Sequence, residues 1–244
     1  MKFNPIYLLV AIALISINII PNIGYCKSKT DSSVVLSDLS KFDGISISSS
    51  VVANIVIKEG AKPEVKLSGS YEAFEYYRTK VTDNILIIGI KKNSSTYHDM
   101  TLYADITLPS ISDLHLSGAS DMNISGLLNT DKLNIITSGA SNVTIDNMKV
   151  TKLDVSASGS SDIVIKNGTA TTSEYALSGS SDVSAYNLES KVVVVKASGA
   201  SDSKVNATFA LTAALSGSST VKYKGHPTQI TESISGGGEL KRVD

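Results

Sequence analysis

Apolar and polar residues alternate with a period of two along most of the chain, the spacing of a strand with one buried face. Ile45 and Ile47 alternate with Ser46 and Ser48, Ile55 and Ile57 continue the pattern, and Glu59-Gly60 ends it. Val65 and Leu67 come next, and then Ser68-Gly69-Ser70 reads as a divergent early relative of the repeat that fills the second half of the chain. The segment 71–78 is the candidate helical turn. The run 85–90 is apolar on both faces and predicts a buried strand, and 91–99 is a polar loop. Leu102, Ala104, Ile106 and Leu108 then alternate up to the breaker Pro109.

From Ile111 onward one stretch recurs: Ser117-Gly118-Ala119-Ser120-Asp121. The copies centre on Gly118, Gly139, Gly159, Gly179, Gly199 and Gly217, at spacings of 21, 20, 20, 20 and 18 residues, with a worn copy at Ser235-Gly236-Gly237-Gly238-Glu239. Each glycine follows a Ser and precedes a second Ser two positions later. The third position after it is Asp121, Asn142, Asp162, Asp182, Asp202 and Thr220, and the sixth is apolar or aromatic throughout. The pattern predicts two short strands per copy, joined at a narrow corner. If strand parity persists through the corner, the glycine and second Ser face inward and the first Ser and Asp outward.

Invariant columns decide between a meander and a stack. Antiparallel hairpins mirror equivalent positions, whereas a parallel coil places each copy over the last at about 4.8 Å, so like residues form ladders. Leucine-rich repeats share the period but not the dense Leu/Asn consensus. The predicted fold is all-β, a single-stranded parallel β-helix of about 20 residues per coil, with roughly ten coils across 42–240. The charged residues Glu239, Lys241, Arg242 and Asp244 at its C-terminal end would blunt the open strand edge.

Composition narrows the setting. The formal net charge is -1, with 22 basic and 23 acidic residues, which gives no global attraction to nucleic acid or anionic lipid. Lys2 followed by an apolar run over 6–20 reads as an export signal, too short for a membrane span. Residues 1–26 are therefore expected as a signal peptide, 27–41 as a linker and 42–244 as the β-helix domain. Cys26, the only cysteine, is the candidate for lipidation, although bulky Tyr25 precedes it; a cleaved signal is favoured over a lipidated or uncleaved anchor. A single cysteine excludes an internal disulfide, so stability must come from packing.

The chain resembles the head-GIN putative auto-transporter adhesin family of bacterial envelope proteins. The resemblance covers about 42–240. It rests on Phe42-Asp43-Gly44-Ile45, Val56-Ile57-Lys58-Glu59-Gly60, Ile106-Thr107-Leu108-Pro109, the serial Ser-Gly-Ala/Ser-Ser-Asp copies and Tyr223-Lys224-Gly225-His226-Pro227. It implies a β-helical exported domain with an adhesive role, and it supplies no catalytic residues. Asn142 and Thr220 interrupt the Asp row, which weakens any role needing continuous acid.

The row Asp121, Asp162, Asp182 and Asp202 is the sharpest candidate for chemistry. Like charges one coil apart repel by about 0.9 kcal/mol in water, and Ca²⁺ with its six to eight oxygen ligands would relieve that. The favoured reading is structural: glycine for the bend and Asp accepting an N–H in its turn. A carbohydrate-active enzyme is the rival class. It needs two carboxylates of opposed protonation, whereas Asp residues on a regular stack are equivalent by symmetry. His98, His115 and His226 are isolated, and no Ser/His/Asp constellation is visible. Tyr71, Tyr76, Tyr77, Tyr97 and Tyr103 cluster in the less regular N-terminal third, with loop 91–99, as binding candidates against a structural role. The expectation is a non-catalytic structural or adhesive module of a Gram-negative envelope, in the periplasm or at the cell surface. No cofactor or metal is expected. The partner would be an unknown protein or glycan, with no nucleic acid and no membrane contact beyond the N-terminus; the alternative is a glycan-binding or carbohydrate-active β-helix.

Overall fold

The computed structural model describes residues 31–36, 39–91 and 100–243. The expected signal segment with Cys26, the start of the linker, and most of loop 91–99 with Tyr97 and His98 lie outside the described residues. Among the described residues no helix is long and apolar enough to cross a membrane.

The strands are β1 (Asp31–Leu36), β2 (Gly44–Ser48), β3 (Val51–Ile57) and β4 (Glu64–Ser70), then helix α1 (Tyr71–Tyr76), β5 (Tyr77–Thr82), β6 (Ile85–Ile90) and β7 (Leu102–Leu108). The repeats occupy β8 (Asp113–Ser117), β9 (Asp121–Thr137), β10 (Asn142–Ala157), β11 (Asp162–Ile165), β12 (Gly168–Leu177), β13 (Asp182–Ala197) and β14 (Asp202–Leu215), closed by β15 (Thr220–Lys224), β16 (Gln229–Ile234) and β17 (Glu239–Arg242). From β8 to β17 every pairing is parallel, and each coil lies over the one before. The result is a β-solenoid of about 6 turns with ~20 residues per turn.

The core is a set of columns along the axis. Leu114, Ile135, Val155, Tyr175, Val195 and Ala213 form one, and Ile124, Ile145, Ile165, Ala185, Val205 and Tyr223 another, all buried. Each inward residue rests on the equivalent residue of the next coil, so a period-two pattern repeated every 20 residues closes one continuous interior. Ser173 and Ser190 enter this interior together, with their hydroxyls 2.7 Å apart.

The roughly ten coils expected from length are too many, because the N-terminal third is built differently. β4 runs antiparallel to β7, and β1 antiparallel to β4. Residues 31–36, read from sequence as part of a linker, thus form a strand against the body of the domain. β5 and β6 form an antiparallel hairpin. Its two-residue turn has positive φ at both Asp83 (52°) and Asn84 (61°), the backbone a tight hairpin requires. Helix α1 falls within the expected helical turn, and the Ser70 hydroxyl caps it by accepting from the Ala73 N–H. These elements cover the N-terminal edge of the solenoid, which would otherwise expose unpaired backbone groups.

The coil order is not the chain order. β2 pairs with β6 on one side and β8 on the other, and β3 pairs with β7 and β9. The first coil, 44–57, therefore lies between a coil built from 85–108 and the first repeat coil. Asparagine amides mark the sequence of layers: Asn54 donates to Asp105 at 3.2 Å, and Asn123 donates to Asn54 at 3.4 Å.

Candidate functional site

The repeated corner is built from backbone first. Gly118, Gly139, Gly159, Gly179, Gly199 and Gly217 have φ between 71° and 82°. A Cβ on Gly159 would lie 2.5 Å from the carbonyl oxygen of Gly139, so stacking as well as φ demands glycine. From Gly139 onward, the N–H of the residue after each glycine donates to the glycine carbonyl one coil below, as from Ser160 to Gly139 and Ser180 to Gly159, both 2.8 Å.

Strand parity does not survive this bend. The second serines, Ser120, Ser141, Ser161, Ser181, Ser201 and Ser219, are fully buried, as parity predicts. The glycines were expected to face inward too, but they are exposed because the left-handed turn lifts them out. Each buried serine closes its own corner: Ser161 Oγ donates to the Ser158 carbonyl and Ser181 Oγ to that of Ser178, both at 3.0 Å.

Asp162, Asp182 and Asp202 stand exposed at the corner in consecutive coils, and Asp121 is half-buried two coils further toward the N-terminal end. The Asp121 and Asp182 carboxylates accept from the neighbouring coil, where an N–H of their own turn was expected. The Asp202 N–H donates to Asp182 Oδ1 at 3.0 Å, and the Asn142 amide donates to Asp121 Oδ1 at 2.8 Å. Asn142 thus replaces an Asp–Asp contact with a neutral amide donor to the Asp121 carboxylate. Among the described residues no three His, Cys, Asp or Glu side chains are gathered as a metal-holding group.

Beside the corner runs a shallow groove of about 560 Å³ crossing five coils. Ser138, Ser158, Ser178, Ser198 and Ser216 line one edge. Ser158 and Ser198 turn their hydroxyls onto the Thr137 and Leu177 carbonyls, at 3.3 and 3.4 Å. On the same side of the solenoid Lys152 lies 3.0 Å from Asp154 and 3.4 Å from Glu174, while Lys132 reaches Asp154 at 3.5 Å. The hydrogen bond to Asp154 raises the Lys152 pKa above its ordinary value.

The other candidates separate. Tyr77 is buried, its hydroxyl donating to the Ser50 and Met100 carbonyls, and burial raises its pKa. It joins the cap to the first coils, a structural role. Tyr71 and Tyr103 are exposed. His115 sits on β8 and His226 comes after β15, where it lies 2.7 Å from Arg242, so the two histidines belong to distant coils.

Sequence reasoning missed one arrangement. Lys204, Lys222 and Lys241 are register partners on three successive coils. Lys224 beside them lies 5.0 Å from the centre of the Tyr186 ring. Reading the fifth position after each corner glycine would have found it.

A family model described as putative auto-transporter adhesin, head GIN domain, matches residues 41–227. The fold is similar to that of a putative adhesin from Bacteroides fragilis NCTC 9343, with 27% identity, a TM-score of 0.80, and coverage of 88% of this chain and 98% of the other. A putative adhesin from Parabacteroides merdae ATCC 43184 is 19% identical, with a TM-score of 0.71 over 88% of this chain and 96% of the other. A putative lipid binding protein from Parabacteroides distasonis ATCC 8503 is 20% identical, with a TM-score of 0.69 over 88% and 97%. No curated protein matches the chain in sequence.

Proposed function

The chain belongs to the family described as putative auto-transporter adhesin, head GIN domain, and from that premise we propose that it is an exported, non-catalytic adhesive module acting at the cell surface. The observation that carries this reading is the shape of its accessible surface. The groove beside the corner crosses five coils in the open and is edged by an equivalent serine in each, with mostly small residues beside it. Such a surface suits an extended partner held by many equivalent contacts. Catalysis asks for the opposite, a few groups in environments that differ. The apolar run at 6–20 supports export.

Protease shaving of intact cells with fractionation tests the location, and attachment of a deletion strain tests the role. The expected result is removal of the domain by external protease, with reduced attachment of cells that lack it. Full protection until the outer membrane is broken would overturn the surface reading. Undiminished attachment of the deletion strain would overturn the adhesive one.

A further inference from the structure

On the outer face that leads away from the corner, the middle position of each strand forms a column along the whole solenoid. In axial order it reads Asp105, Asn54, Asn123, Thr144, Val164, Ser184, Lys204, Lys222 and Lys241. The first six are acidic, amide, hydroxyl or apolar, and the last three are lysine. Neighbouring strands lie about 4.8 Å apart, so three like charges stand directly over one another, an arrangement that destabilises a sheet.

No ion pair among the described residues offsets that arrangement. The four ion pairs found there involve Lys132, Lys152 and Lys166, on other coils. Asp202 and Glu239 precede Lys204 and Lys241 by two positions on the same strands, toward the corner, yet neither pairs with a lysine of the row. Edge protection does not explain the row either. It would need charge only on the terminal strand β17, whereas Lys204 lies on β14, which β15 and then β17 cover.

We infer that the Lys204–Lys222–Lys241 row, with Lys224 and the Tyr186 ring beside it, binds a linear acidic polysaccharide bearing carboxylate or sulfate groups. The inference rests on the reading of the domain as an exported adhesive module and names its partner class. A row of cations on a flat strand face matches a chain that repeats its negative charge along its length. Lysine presents a mobile point charge, suited to anions of variable geometry, where planar bidentate recognition would use arginine. The half-buried Tyr186 ring holds the Lys224 ammonium over it, which keeps a fourth cation beside the row. With a net charge of only -1, the molecule as a whole neither attracts nor strongly repels a polyanion, so the local row decides.

The test measures binding of the purified protein to polygalacturonate and to chondroitin sulfate, with dextran as the neutral polymer. Anionic phosphatidylglycerol vesicles and single-stranded DNA are further arms. Expected is binding to an acidic glycan that weakens as salt rises, and none to dextran. The triple variant Lys204→Gln/Lys222→Gln/Lys241→Gln loses affinity by on the order of a hundredfold, at roughly one kcal/mol per lysine facing an anionic surface. Lys222→Gln alone loses part of it. A control with the same charge change elsewhere, Lys62→Gln/Lys80→Gln/Lys149→Gln, stays close to the parent. Equal losses in the two triple variants, absence of glycan binding, or tighter binding to vesicles or DNA would each overturn the inference. Surface exposure and attachment in the cell assays are independent of these outcomes, so this inference can fail while the adhesive reading stands.

Discussion

Ser49 lies against Gly118 across one strand spacing and shares its backbone: φ is 73° at the serine and 80° at the glycine. The Ser49 N–H donates to the Ser117 carbonyl at 3.1 Å, and the Ser120 hydroxyl donates to the Ser49 carbonyl. Ser49 is thus the corner residue of the first coil, filling the place that glycine holds in every repeat coil.

A left-handed backbone costs a residue with a Cβ about 1–2 kcal/mol, and a new glycine offsets part of that gain through unfolded-chain entropy. Ser49→Gly should therefore stabilise the domain by about 0.5–1 kcal/mol, a rise in Tm of a few degrees for a domain of this size. Thermal unfolding of the variant checks this; a lowered Tm would show that the Ser49 side chain contributes more than its backbone costs.

Two glycines with similar φ separate conformation from crowding. Gly60 has φ of 72° and open space for 4 Å around the point a Cβ would occupy, whereas Gly159 has φ of 81° with the Gly139 carbonyl oxygen 2.5 Å from that point. Gly60→Ala should cost about 1 kcal/mol and Gly159→Ala about 2–5 kcal/mol, the excess being the displaced neighbouring coil. Denaturant unfolding of both variants measures the difference. Equal costs would mean that the coils shift apart freely at the corner.

Tyr175 is buried in the core, and desolvation raises its pKa far above the ordinary 10.0, the Ser173 hydroxyl opposing only in part. The unfolded chain releases the phenol proton near pH 10 while the folded protein retains it. The Tyr175 contribution is therefore complete below about pH 10 and declines as pH climbs toward the raised folded value, by up to about 1.4 kcal/mol per pH unit. Tyr175→Phe should flatten the loss of stability above pH 10. An unchanged alkaline slope in that variant would mean that the phenol ionises in place.

The sequence made legible whatever recurs at fixed spacing. The columns Ser120 to Ser219 and Ile124 to Tyr223 announce a parallel coil because equal environments select equal residues in each turn. The corner of the first coil was illegible for the same reason: it uses Ser49 with no glycine, so a search for the repeat settles instead on Ser68-Gly69-Ser70, which belongs to β4. The capping strands pair antiparallel with partners that no local pattern identifies, and they absorb the length that suggested ten coils. The lysine row was legible in principle, but only to a reader of the outward columns as well as the inward ones.

The placement of the first coil between two later ones bears on how the polypeptide acquires its structure. In the repeat coils a strand meets its partner about 20 residues along, as Lys166 meets Asp146, and such contacts close with little loop entropy. Asn54, by contrast, must wait for Asp105 and Asn123, at separations of 51 and 69 residues. A chain delivered N-terminus first holds residues 44–57 without a neighbouring coil until 85–108 has emerged, and with an open second side until 113–125 follows, while the coils behind can zip up one on the next as they appear. The first coil is flanked only by layers made after it, so assembly of the N-terminal end runs against the direction of synthesis.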